Sequence, residues 1–158
     1  MLAVELVVLL VVVAALSYEP PAGPSAPVGA GAGLGVSAEE LRTVFELDRN
    51  GGFVFMDERG SSGTQRLVGS SATGRLELIG DPANLQQIML TVSSAESHLV
   101  ELLALQVVPE LAADVESVIE EAPEGRPEEL EGDDALVTVT LNPEPNDDIE
   151  MLIEALGA

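Results

Sequence analysis

RLELIGDPANLQQIMLTV, residues 75–92, is the stretch on which the architecture turns. Leu76 and Leu78 alternate with Glu77, and Ile88, Leu90 and Val92 alternate with Met89 and Thr91. A period of two is the repeat of a strand with one buried face, so the stretch predicts two strands, at 75–79 and 86–92. Gly80-Asp81-Pro82 breaks the chain between them with turn residues. Working upstream, Phe53 to Met56 begins a strand, RGSSGT turns it into Gln65 to Val68, and GSSATG leads on to Arg75. Four strands in a row with short turns favour an antiparallel meander.

Helices flank this meander. Ser37-Ala38-Glu39-Glu40 is a capping box followed by Leu41, Val44 and Phe45 at helical spacing, which predicts a short helix over 38–48 closed by Asp48-Arg49-Asn50-Gly51-Gly52. Ser93-Ser94-Ala95-Glu96 reads as a second capping box, and Leu99, Leu102, Leu103 and Val107 continue on one side of a long helix. Pro109 lacks the N–H that a helix interior requires, so it should kink or restart that helix before Leu111, Val115, Val118 and Ile119 resume the period. A hydrophilic stretch, EGRPEELEGDD, then leads to a strand at 136–141, with Thr138 and Thr140 opposite the apolar side chains. The last element has two readings. Ile149, Leu152, Ile153 and Leu156 fit a helix between Asp147 and Gly157, whereas Ile149, Met151, Ile153 and Ala155 fit a strand. The strand is preferred, because the one at 136–141 would otherwise lack a nearby partner. The expected fold is α+β: an antiparallel sheet of five to six strands packed against one short and one long, proline-interrupted helix, over residues 37–158.

Two further segments precede this domain. Residues 1–17 open with MLAVELVVLLVVVAAL, apolar except for Glu5 and unbroken from Leu6 to Leu16. As a helix the block spans roughly 24 Å at about 1.5 Å per residue, short of the ~30 Å of a bilayer core, and its length suits a signal-peptide h-region or an anchor helped by its flanks. Cleavage after Ser17 has small residues at both critical positions, Ala15 and Ser17. Against a signal peptide, the n-region carries Glu5 in place of Lys or Arg. Residues 18–36, YEPPAGPSAPVGAGAGLGV, have no hydrophobic period, and prolines at 20, 21, 24 and 27 bias the first half towards extended polyproline II. They read as a flexible linker.

Charge and composition remove whole classes of function. The chain carries 28 acidic against 6 basic side chains, a net charge of −22, and lysine is absent. No surface so composed could neutralise a run of phosphates, so nucleic acid is excluded as a partner. Cysteine is absent too, which removes disulfides, thiolate metal sites and cysteine nucleophiles together.

Candidate chemistry is sparse. His98 is the only histidine, and Ser93, Ser94 and Ser97 beside it read as helix-start residues, with no G-x-S-x-G elbow anywhere. A carboxylate pair for glycoside chemistry would lack aromatic side chains to stack on a sugar, since Trp is absent and only one Tyr and three Phe are present. Asp48-Arg49-Asn50-Gly51-Gly52 and Asn146-Asp147-Asp148 gather oxygens as a calcium loop does. An EF-hand register started at Asp48 nevertheless puts Arg59 where the bidentate acid belongs, and turn chemistry accounts for both stretches. The acids Glu116, Glu120, Glu121, Glu124, Glu128 and Glu129, with Glu131, Asp133 and Asp134 after them, read as a solvated helix end and loop that could also dock a basic partner. No catalytic, cofactor or metal residue is therefore expected, and no enzyme.

Glu5 stands apart. An acid at this position followed by Leu6 and a continuous apolar run resembles the mature N-terminus of type IV pilin-like subunits. The resemblance implies that a basic leader has been removed and that Glu5 meets a neighbour's N-terminal amine inside a filament. It covers residues 1–17 only, because Pro20-Pro21 and the Gly/Ala linker stand where such subunits continue a long amphipathic helix.

The expectation is an exported chain, tethered to the membrane through residues 1–17 if these are uncleaved, otherwise secreted. Its acidic domain would have a non-catalytic binding or structural role, with a basic protein or further copies of itself as partner. A pilin-like filament subunit is the alternative. One physical consequence follows from charge alone. Repulsion among −22 charges should lower stability in dilute salt, so the melting temperature should rise between about 10 mM and 1 M NaCl, where the Debye length falls from ~30 Å to ~3 Å. A melt independent of salt would show that the charges are too dispersed to matter.

Overall fold

The computed structural model describes residues 33–59 and 65–157, so Glu5, the segment 1–17, most of the linker and the turn at 60–64 lie outside the described residues. Its elements run α1 (Ala38–Phe45), β1 (Val54–Arg59), β2 (Gln65–Ser70), β3 (Gly74–Asp81), β4 (Asn84–Ser93), α2 (His98–Val107), α3 (Ala112–Glu121), β5 (Pro127–Glu131), β6 (Ala135–Leu141) and β7 (Asp148–Ala155). All seven strands form one antiparallel sheet in the order β1-β2-β3-β4-β7-β6-β5.

The α+β class and the four-strand meander stand as expected. The strand count does not. The sheet has seven strands, because EGRPEELEGDD contains β5, which pairs Pro127 to Thr140 and Glu131 to Leu136. Leu130 is its only large apolar residue, so no hydrophobic alternation announced it. It is held by backbone pairing along the sheet edge, where a leading proline costs no ladder bond. The long helix is interrupted where Pro109 is expected to kink or restart it. Val108, forced out of the helical region ahead of Pro109 to φ −135° and ψ 61°, ends α2, and a 3-10 turn at Pro109–Leu111 starts α3. The C-terminal segment is strand β7. It pairs with β6, as Val137 to Ile153, and on its other side with β4, as Leu90 to Met151.

Local chemistry explains each boundary. Ser37 caps α1 reciprocally: its hydroxyl accepts from the Glu40 N–H at 3.3 Å while the Glu40 carboxylate accepts from the Ser37 N–H at 2.8 Å. The second capping box does not form. The Ser93 N–H still donates to Thr73 O at 3.0 Å, and that of Ser94 to Asp147 O at 3.0 Å, so Ser94–Glu96 is a 3-10 turn without a side-chain cap. Between β3 and β4 the register shifts at Gly80, whose φ of 122° and 2.8 Å clearance from Gln86 N leave no room for a side chain. Just before α1, the Leu34 N–H donates to Leu85 O at 2.7 Å and the Leu85 N–H to Val36 O at 3.0 Å, fastening the chain beside the start of β4.

One face of the sheet carries the core. Leu76, Leu78, Ile88, Leu90, Val137 and Met151 are all buried on it, and α2 lays Leu99, Val100, Leu103 and Ala104 over them. Phe45 of α1 meets Phe53 edge-on at 5.8 Å, closing one end. Leu90, fully buried on the central strand, should cost about 2–5 kcal/mol when truncated to Ala, whereas Val54→Thr, at a site 68 % exposed, should stay within about 0.5 kcal/mol. Urea unfolding of both variants checks the assignment of faces.

Candidate functional site

The opposite face of the sheet has no helix on it among the described residues. Strand parity and register put Val54, Met56 and Glu58 of β1 there, followed by Arg66 and Val68 on β2, and Arg75, Glu77 and Ile79 on β3. Gln87, Met89 and Thr91 of β4 continue the face, then Glu150, Leu152 and Glu154 of β7. Leu136, expected with Val137 and Val139, shares this face with Thr138 and Thr140. None of Val68, Ile79, Met89, Leu136 and Leu152 belongs to the core cluster. Ile79, Met89, Leu136 and Leu152 are half-buried, and Val54 and Met56 stand 68 % and 62 % exposed. Apolar side chains interleaved with charge on a face without helices are the material of a contact surface.

A charged triad lies in that surface. Glu77 is the one charged residue buried among the described residues, and both its oxygens are taken. The Arg75 Nε donates to Oε1 at 2.7 Å, and an Arg66 terminal nitrogen pairs with Oε2. Arg66 Nε is itself buried without a partner. Burial pushes the Glu77 carboxyl up, but the bonds from Arg75 and Arg66 and their positive charges outweigh it and hold the group below the usual carboxylate range. A carboxylate so occupied cannot act as a general base. Its chemistry is to fix two guanidiniums on the face, leaving the triad one positive charge in excess within a strongly acidic chain.

The residues singled out from sequence are not gathered here. His98 begins α2 with its side chain 54 % exposed, and its Nδ1 lies 3.6 Å from the Glu96 carboxylate. Ser97 beside it makes no capping bond. Asn50 spends its side chain on Val44 O at 2.8 Å, and Asp148 accepts from Asn142 at 2.7 Å, so both calcium-like stretches act as turns and braces. Among the described residues no three His, Asp or Glu side chains converge as a metal site, and no helix is long and apolar enough to cross a membrane. Two open clefts of about 410 Å³ each complete the surface. One runs along α1 by Val36, Glu40, Thr43 and Gln106, and the other lies at the end of the helix-free face by Arg75, Thr91, Ser93 and Asp148.

The triad was half visible in the sequence. Arg75 two residues before Glu77 on a strand places both on one face, but Arg66 joins only once the β2–β3 register is known. Its contribution can be read from pH. Because the folded carboxyl titrates below its unfolded value, the stabilisation is present above about pH 4.3 and is lost as pH falls through the lower, folded value. Glu77→Gln should therefore be less stable than the parent by on the order of 2 kcal/mol at pH 7, with the gap closing below about pH 4. A gap independent of pH would show that the ion pairing contributes nothing. Compared with protein-family models, with curated proteins and with solved structures, the chain matches none.

Proposed function

We propose that this chain is an exported, non-catalytic binding protein, held at the membrane by residues 1–17 or released by their cleavage, whose acidic α+β domain docks partners on the helix-free face of its sheet. The observation that carries the reading is that face. A seven-stranded sheet buries one side under helices and leaves Val54, Met56, Met89 and Leu152 uncovered around a pinned Arg66–Glu77–Arg75 triad on the other. Apolar side chains beside an ion triad suit docking better than catalysis, because the triad occupies its own carboxylate. The apolar run at Leu6–Leu16 and the proline-rich linker suit presentation of the domain away from a membrane.

The second reading, a type IV pilin-like filament subunit, is favoured by Glu5 alone. The two give opposite signs for Glu5→Ala. In a filament the carboxylate is desolvated against a neighbour's amine, so its loss leaves that amine unpaired and blocks assembly. In a signal or anchor helix the carboxylate is only a cost, about 2.5 kcal/mol or more at the membrane centre, so its loss improves export or insertion. The expected result in the native host is equal or greater export and no filaments from either form. Loss of filaments on substitution would establish the second reading, and an unprocessed chain found wholly in the cytosol by intact mass and fractionation would sink both.

A further inference from the structure

The helix-free face is not uniform. β4 is the middle strand of seven, and it divides the face into halves of unlike charge. On one side Arg66 and Arg75 are balanced by Glu77 and by Glu58 of β1, so that half is neutral. On the other β7 presents Glu150 and Glu154, two negative charges, of which Glu154 accepts only a 3.4 Å bond from Gln87. The halves match strand for strand. Arg75 and Glu150 flank Thr91 in one row, and Glu77 and Leu152 flank Met89 in the next.

Building on the docking face proposed above, we infer that its occupant is a second copy of the chain, related by a two-fold axis running along β4. A half-turn about that axis lays β3 of one copy over β7 of the other. Arg75 then meets the other copy's Glu150 twice, once on each side. Met89 lies on the axis against its own copy, and the half-buried Leu152 fills the space beside it. The two Arg75–Glu150 pairs at the centre favour this arrangement over a half-turn across the strands, which would stack Arg75 over Ile79 and leave Glu150 facing Glu154; the like charges it opposes, Glu58 of β1 and Glu131 of β5, lie at the outer edges of the sheet. Two twisted sheets packed face to face stand about 10 Å apart, a separation that two methionines and an Arg–Glu pair can span. The exposed Val54 and Met56 of β1 come to lie over β5, where Pro127 offers an apolar surface.

Net charge sets the conditions. Each copy brings −22, so repulsion between whole chains opposes the contact in dilute salt, and screening should permit it. The chain contains no cysteine, so single substitutions report position without background. In the full-length chain at about 0.5 M NaCl, Met89→Cys should oxidise to a disulfide-linked dimer, and Thr91→Cys, one pleat along the same strand, should do so as an independent check. Thr43→Cys, exposed on α1, should not. Adding Glu150→Arg to the Met89→Cys chain should cut the cross-linked fraction about tenfold, because it sets two positive charges against each other, and adding Arg75→Glu as well should restore most of it. Absence of cross-linking from both β4 cysteines overturns the self-association. The same cysteines, probed by alkylation in the native host, separate this failure from that of the docking face. Protection from alkylation without a homodimer means that another partner occupies the face, whereas free alkylation without a homodimer removes the docking face as well. A cross-link insensitive to Glu150→Arg also overturns the two-fold arrangement.

Discussion

The pairing of β4 with β7 holds the domain together. Ile88 faces Ile153, Leu90 faces Met151 and Val92 faces Ile149, joining residues more than fifty positions apart through one ladder of backbone bonds and a shared row of buried side chains. Without that seam the chain is two separate meanders, β1 to β4 and β5 to β7, linked through α2 and α3. With it, α2 and α3 are obliged to lie across one face, because they leave β4 at the centre of the sheet and return to β5 at its far edge. Contacts of such long sequence separation are slow to form and expensive in loop closure, and the row of buried aliphatic side chains along the seam is what offsets that cost.

Everything on the opposite face follows from that one-sided cover. A sheet with helices on both faces would have continuous apolar strands. Here β3, β4 and β7 alternate, and their second faces carry Arg75, Glu77, Gln87, Thr91, Glu150 and Glu154 mixed with Met89, Leu152 and Ile79. The mixture is too apolar for a plainly solvated face and too charged for a hidden core. Its charges are also arranged. Glu77 neutralises one of two guanidiniums, and the acids on β7 have no arginine within their own half. The two sheet edges differ in the same spirit: β5 is guarded by Glu128, Glu129, Glu131 and a leading proline, whereas β1 presents Val54 and Met56.

Strong acidity fits this picture. A chain with −22 charges keeps apart from its copies and from most acidic surfaces at low ionic strength, which permits an apolar face to remain uncovered without indiscriminate aggregation. The acids of α3 and of the β5 region are exposed, with Glu128 half-buried, so they raise this field without disturbing the core.

Period-two alternation at 75–79 and 86–92, the Ser37 capping box, Pro109 and the turn at 71–74 were each legible by themselves, because a strand face, a helix start or a helix break is dictated by neighbours a few residues away. β7 was legible as one of two readings, since Ile149, Met151 and Ile153 suit a strand while Ile149, Leu152 and Ile153 suit a helix, and only a partner could choose between them. Tertiary structure supplied two partners, β4 and β6. It also decided what no local pattern contains. Five residues with one large apolar side chain became β5 because β6 offered an edge, and Ser93 stayed in the sheet because Thr73 accepts its N–H. Arg66 found Glu77 across the β2–β3 register, which sets Val68 opposite Glu77. Hydrogen-bond ladders and charge triads join residues through space, so their information resides in register, and register exists only after the strands have met.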